Sequence, residues 1–360
     1  MVQTTTAASP AVGQTSPTTY RSVLVTQRGG LEGVTLVDVD LRAPLAGDAR
    51  IKVLASGVHQ DDVAARIGNR PFLPRLPFVP GYDIVGAVDA IGDGVTEVAV
   101  GDRVAALTTV GGHAEYIYLA EDRLVHVPTT LDSAEAVTLV LNYLTAYQVL
   151  HRVAKIKAGD RVLLIGASGG VGTAFLQLGR VAGLAMYGTA SAGKHGTLVE
   201  MGAIPIDYHT QDFVEVIRRA EPAGLDFVFN GMGPEYLRRG LAVLRRGGTL
   251  VHYGAPRSLS RLALLIAEIG LFNLLPNGKA VKGYGTHRVS IQPFKEDWAA
   301  LFALLEAGMI KPLVAGRLRL VDDAATAYAL LESGQVTGTL VLVAPELLKG
   351  HPAAADGSSF

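Results

Sequence analysis

Glycines at 169, 170 and 172 follow an apolar, β-branched run at 162–165 in this 360-residue chain. After them Val171, Phe175, Leu176, Leu178 and Val181 recur at helical spacing. A buried strand, a turn without bulky side chains and an amphipathic helix, in that order, make a place for the pyrophosphate of a dinucleotide. Gly169 lets the backbone come close to the phosphates, and Gly172 lets the helix pack against the strand. The free N–H groups and the dipole at the helix start favour negative charge. Ala167, Ser168, Gly170 and Val171 complete the turn and are expected at the cofactor with them. A tight strand–helix turn that binds nothing is the competing reading, and the strand before it and the helix after it weigh against that.

Residues further on bear on which dinucleotide binds. An NAD site usually ends its second strand with Asp or Glu, roughly 20 residues past the glycines, to hold the ribose hydroxyls. Here the second strand, 185–188, runs into Thr189, Ser191 and Lys194, and the first acid is Glu200. Two hydroxyls and an ammonium suit a 2′-phosphate, which a carboxylate would repel. NADPH is therefore the expected cofactor. The alternative is that Ser191 caps the next helix and Lys194 is a solvated first-turn residue.

These residues need a scaffold. A chain of this length is expected to form two domains, and 49% hydrophobic against 18% charged residues is enough for full cores. A net charge of −1 with no basic block gives no reason to expect nucleic acid. Cysteine is absent, which excludes disulfides, thiolate zinc sites and a cysteine nucleophile, and fits a reducing cytoplasmic setting. The first residues lack a basic segment followed by an apolar core, so no signal peptide is expected. The longest apolar stretch, 262–275, contains Glu268 and Asn273 and is too short to span a bilayer, so no integral membrane segment is expected.

In chain order, 1–18 is Thr, Ser, Ala and Pro in the main and is expected to be a disordered tail. Short alternating runs follow at 22–25, 34–38, 50–54, 85–91, 102–107 and 112–118, punctuated by turn glycines; they are expected to be strands. Ser133 opens a helical stretch that continues through 139–150. From 161 to 253 strands and helices alternate, including a helix at 234–245 and a strand at 249–253, which predicts a doubly wound parallel sheet. Strand-like text returns at 314–320 and 338–343, around a helix at 321–333. The expected class is α/β: a β-rich substrate domain of 19–146 and 296–346, a dinucleotide domain of 147–295 inserted in it, and a frayed tail at 347–360.

With these features in place, the chain resembles the medium-chain dehydrogenase/reductase superfamily, in its zinc-free quinone oxidoreductase-like branch. The resemblance runs from about Tyr20 to Val343 and rests on ASGVHQDD at 55–62, PGYDIVG at 80–86, VGDRV at 100–104, NYLTAY at 142–147, GASGGVG at 166–172 and RGGTLVHYG at 246–254. It implies a GroES-like substrate domain, a Rossmann domain, an active cleft between them and, commonly, a homodimer. Where zinc members place catalytic ligands, this chain has His59, Tyr82 and Leu141, and the cysteines of a structural zinc lobe are missing; no metal is expected. Tyr208 resembles a tyrosine that packs near the adenine. Asn230, Tyr253 and Gly254, at the ends of later strands, are expected to line the rest of the cofactor site.

Without a Lewis acid, reduction needs a placed hydride donor and something to polarise or protonate the acceptor. The candidate polar groups are His59, Asp62, Arg66, Arg70, Tyr82 and Asn142. Tyrosines that enoyl and quinone reductases of this superfamily carry are replaced here by Arg70 and Ala64. His59 is either a donor to substrate oxygen or a hydrogen-bonded structural histidine. Arg70 either binds an anionic or carbonyl substrate or is a solvated loop residue. Asp62 is expected to cap a helix starting at Val63, and Asn142 to orient nicotinamide or substrate. The expected activity is NADPH-dependent, metal-free hydride transfer to a quinone or α,β-unsaturated carbonyl, with His59 and Asn142 as hydrogen-bond donors and Arg70 in reserve. Two alternatives stand beside it: a biosynthetic enoyl or ketone reductase, and a cofactor-binding, membrane- or vesicle-associated protein with little turnover. The apolar stretch 262–275 would line a substrate tunnel, cover a dimer seam or touch a membrane surface.

Overall fold

The computed structural model describes residues 18–254, 256–286 and 291–348, with side chains from 294 onward in the last stretch. Of the two expected tails, only residues 18, 347 and 348 fall among those described. Strands β1 (Thr19–Val25) and β2 (Val34–Asp40) pair antiparallel as a ribbon. Then come β3 (Asp48–Val58), helix α1 (Gln60–Ile67), β4 (Asp83–Ile91), β5 (Arg103–Leu107), β6 (Tyr116–Ala120) and β7 (Val125–His126). The expected strand at 112–118 starts later, because Gly111 has φ +103° and Gly112 is packed tightly against the backbone of Gly81 and Asp83.

A helical run at 133–154 leads into the second half of the chain. It comprises α2 (Ser133–Thr138), a π segment at Leu139–Tyr143, α3 (Leu144–Tyr147) and a second π segment at Gln148–Ala154. Ser133 is its first residue, as expected, and Asp132 caps it, accepting from the backbone N–H of Ala134 and Glu135. Alternation then sets in: β8 (Arg161–Ile165), α4 (Gly170–Val181), β9 (Ala185–Ala190), α5 (His195–Glu200), β10 (Ala203–Asp207), α6 (Phe213–Ala220), β11 (Leu225–Asn230), α7 (Leu237–Ala242), β12 (Leu244–His252), α8 (Leu259–Leu274) and β13 (Ala280–Gly283). Helix α7 ends, and β12 begins, earlier than local pattern suggests, because Leu244 is taken into the sheet opposite Leu225. Helix α9 (Ile291–Glu306), β14 (Val314–Arg319), α10 (Ala324–Glu332) and β15 (Thr339–Val343) complete the described chain.

Strands β8 to β13 form a six-stranded parallel sheet in the order β10-β9-β8-β11-β12-β13. The order reverses between β8 and β11, which opens a crevice at their carboxyl ends where such sheets bind nucleotides. Strands β14 and β15 return to the first sheet, where β15 pairs antiparallel with β3. The helical run joins the two sheets. Leu139, Val140, Tyr143 and Leu144 share one apolar core with Ala55, Val85 and Val341 of the first sheet and with Val162, Leu164 and Val251 of the second.

Candidate cofactor and substrate site

Gly166 turns the chain out of β8 with φ +89°, a left-handed conformation that suits glycine. Strand β9 pins this turn: the Thr189 hydroxyl oxygen accepts from Gly166 N–H at 3.0 Å, and Thr189 C=O accepts from Ala167 N–H. A side chain at Gly172 would start 2.4 Å from the Gly166 carbonyl oxygen, so helix and turn meet there with no room to spare. One at Gly170 would meet the Asn142 amide at 2.5 Å. Over Gly169 nothing lies within 4 Å of the equivalent position. Gly169 is also the N-cap of α4, with no side chain covering the first N–H groups. The turn is therefore packed on its flanks and open over its apex, which is the shape a pyrophosphate needs, and the residues fit a dinucleotide.

The later cofactor candidates divide. Thr189 is buried, and its hydroxyl oxygen is engaged in bracing the turn. Asn230 is fully buried: its Oδ1 accepts from Met232 N–H, and its Nδ2 donates to Gly233 C=O, which shapes the loop after β11. The Tyr253 ring packs on Phe175 at 5.1 Å and crowds Gly231, again a supporting position. Gly254 is needed because any side chain there would meet the Met232 carbonyl at 2.1 Å. Ser168 and Val171 are half-buried in the turn. Ser191 precedes the short 3₁₀ turn Ala192–Lys194 without a capping bond from its side chain. Tyr208 is exposed, and its ring lies tilted against that of His209, with centres 4.2 Å apart.

Lys194 is not a solvated helix residue. Its ammonium donates to the carbonyls of Gly334 at 2.7 Å and Val336 at 2.9 Å, and burial lowers its pKa. Both partners are neutral and both come from the other domain. Gly338 N–H donates to Ser168 C=O at 2.9 Å, and the Asn142 Nδ2 donates to Thr339 Oγ1 at 2.9 Å. The segment 334–339 therefore closes one flank of the glycine turn. Sequence reasoning did not reach this clasp. Its trace was the pair Gly334 and Gly338, both left-handed, at φ +72° and +89°.

On the substrate side, His59 Nε2 bonds Asp83 Oδ2 at 2.8 Å, and the other Asp83 oxygen accepts from Gly57 N–H. Burial alone would lower the imidazole pKa, but the adjacent Asp83 carboxylate outweighs it and raises the value to about 9. His59 is also the N-cap of α1, which begins at Gln60 and not at Val63. Asp62 sits inside that first turn, accepting from His59 N–H and Gly81 N–H, so it ties helix to loop. Arg66 is buried and donates to Gly29 C=O and to Glu332. Arg70 is not solvated. Its guanidinium lies 5.7 Å from the Tyr82 ring centre and stands 3.9 Å from Asp61. Asn142 falls within the first π segment, a helical irregularity common at functional sites. Among the described residues no group of three or more His, Asp or Glu is placed to hold a metal ion.

A doubly wound nucleotide sheet inserted in a GroES-like β-domain, with a glycine turn at its crevice, defines a two-domain dehydrogenase fold. Known proteins agree. The family described as alcohol dehydrogenase GroES-like domain matches residues 45–129, and the family described as zinc-binding dehydrogenase matches 201–342. The human synaptic vesicle membrane protein VAT-1 homolog is 34% identical over 308 residues, 81% of this chain and 78% of that one. Quinone oxidoreductase of Sus scrofa is 31% identical over 328 residues, 89% of this chain and 97% of its own. The crystal structure of a quinone oxidoreductase from Pseudomonas syringae superposes with a TM-score of 0.80 at 26% identity, over 90% of this chain and 99% of that one. The chain belongs to the medium-chain dehydrogenase/reductase superfamily, in its quinone oxidoreductase-like branch. It is an oxidoreductase of that superfamily, whose members bind a nicotinamide cofactor.

Proposed function

We propose that the protein is an NADPH-dependent, metal-free reductase of quinones or α,β-unsaturated carbonyls, working in the cytoplasm as a homodimer. The observation that carries this reading is Lys194: an ammonium held by two neutral carbonyls, at the end of a β9 that offers no carboxylate. Such a charge stays available to a phosphate. When bound, the reduced nicotinamide supplies the hydride. The backbone N–H groups at the start of α4 hold the pyrophosphate, Lys194 and Ser191 hold the 2′-phosphate, and the exposed Tyr208 ring packs on the adenine. Asn142, fixed by Thr339, orients the reacting face. His59 Nε2 is engaged with Asp83, so His59 positions the loop, and Arg70 moves from reserve to principal polar group facing the acceptor.

A conjugated acceptor suits such a site because its carbonyl already spreads the developing charge, so one or two hydrogen bonds suffice where an isolated ketone or alcohol would call for a metal. Two of the relatives above are named quinone oxidoreductases, which supports the same class. NADPH oxidation across quinones, enones and enoyl thioesters tests the reading, after dialysis against a chelator. Turnover of quinones or enones, undiminished by the chelator, is expected. Rapid NADP⁺-dependent oxidation of a simple alcohol, with those acceptors inert, would overturn it. Tight NADPH binding with no turnover would favour the non-catalytic alternative.

A further inference from the structure

We infer that α10 and the segment after it, 324–339, form a strut that couples the glycine turn to the loop carrying His59, with Tyr328 and Glu332 as its positioning residues. This coupling rests on the reading above only in seating a dinucleotide at the turn. Two side chains tie α10 down on the substrate side. The Tyr328 hydroxyl stands 2.6 Å from His113 Nδ1, and His113 Nε2 lies 3.0 Å from the Gly57 carbonyl oxygen. Tyr328 and His113 are 1% and 0% exposed, so no water competes for these bonds. A carbonyl only accepts, so Nε2–H donates to Gly57, and in the neutral ring Nδ1 is left to accept from Tyr328. Gly57 N–H in turn donates to the Asp83 carboxylate that holds His59. One helical turn beyond Tyr328, on the same face of α10, Glu332 accepts from the buried Arg66 of α1 at 2.6 Å.

The other end of the strut is the clasp. The carbonyls of Gly334 and Val336 hold Lys194, Gly338 N–H reaches Ser168 C=O, and Thr339 Oγ1 holds Asn142. Thr339 also lies so close to the turn that a side chain at Gly170 would meet its hydroxyl oxygen at 2.8 Å. Between the two sets of bonds the backbone has little slack. Ser333 N–H donates to Ala329 C=O and Gly334 N–H to Leu331 C=O, while Ala324, Ala327 and Val336 are buried in the core of the first sheet. A ligand that stiffens the turn therefore stiffens, through contiguous packed and hydrogen-bonded groups, the loop of His59, Asp62 and Arg66.

Hydrogen exchange of the full-length protein tests this. The probe is ADP-ribose, with and without a 2′-phosphate, which brings a pyrophosphate to the turn and has no nicotinamide to touch α1. At saturation it should slow exchange about threefold or more at 57–68, as well as at 166–172 and 334–339. In Tyr328→Phe the slowing at 57–68 should disappear and the other two remain, with the Kd of the probe within about fivefold of the wild type. Glu332→Gln, at a side chain 33% exposed, is the milder break and should weaken the same slowing. In the free protein, Lys194→Met should speed exchange at 334–339 and at 57–68 together. Slowing at 57–68 that is absent from the wild type, or undiminished in both α10 variants, would overturn the strut and leave the reductase reading standing. So would an effect of Lys194→Met confined to 334–339. If neither form of the probe binds, the glycine turn is not a dinucleotide seat and both fall.

Discussion

His59 shows how far residue type alone can carry an argument. A histidine beside acids in a cleft reads equally well as donor or as scaffold, and what decides between them is Asp83, 24 residues away in sequence and on another strand. No local pattern announces that pairing. The glycine turn was legible because its requirements are local: Gly172 must clear the Gly166 carbonyl, and Gly169 must leave its apex open. The His59–Asp83 pair has a consequence for stability. The imidazole pKa is raised from 6.5 to about 9 in the folded protein, so the native state holds a proton that the unfolded chain gives up first. Its stabilising contribution is complete below about pH 6.5 and is lost as pH rises through about 9. Melting temperature should therefore fall across that interval in the wild type, and the fall should flatten in His59→Gln. An equal slope in both would show that the pair does not carry the ionisation.

At the scale of elements, strand–helix alternation reported the nucleotide sheet, because period and turn chemistry are written in short windows. The clasp between domains was not legible. It joins Asn142 to Thr339, 197 residues apart, and Lys194 to the stretch between α10 and β15. Nor was the bracing of Gly166 by the Thr189 hydroxyl, which links neighbouring strands 23 residues apart. Lys194 serves two sites if the cofactor is NADPH: the clasp and the 2′-phosphate. Lys194→Ala should raise KM for NADPH tenfold or more and that for NADH less than threefold, a loss on the order of 1.4 kcal/mol confined to the phosphate. Equal losses with both cofactors would assign Lys194 to the clasp alone.

For the whole molecule, the question is what covers α8. Leu259, Ala263, Ile266, Gly270, Leu271 and Leu274 recur at helical steps on one face and are exposed, Leu274 to 81%. The opposite side, with Leu265 buried and Ile269 and Phe272 packed beside it, faces the sheet. No helix among the described residues is long and apolar enough to cross a membrane. A second copy of the chain is the occupant that fits the proposed homodimer, and the structure limits how it would dock. Strand β13 ends the six-stranded sheet, and an open edge would ordinarily invite a partner strand. Here the Asn273 side chain of α8 accepts from Val281 N–H and donates to Val281 C=O, capping that edge at its centre. Continuous pairing of β13 with a copy of itself would have to displace Asn273, so the apolar face of α8 is the better seam. Leu271→Glu, on that face and remote from the glycine turn, should turn a dimer into a monomer in light scattering while leaving NADPH affinity within twofold. Asn273→Ala should leave the dimer intact. A dimer that survives Leu271→Glu but is altered by Asn273→Ala would move the seam to the sheet edge, and a wild-type monomer would leave the exposed face of α8 to some other partner.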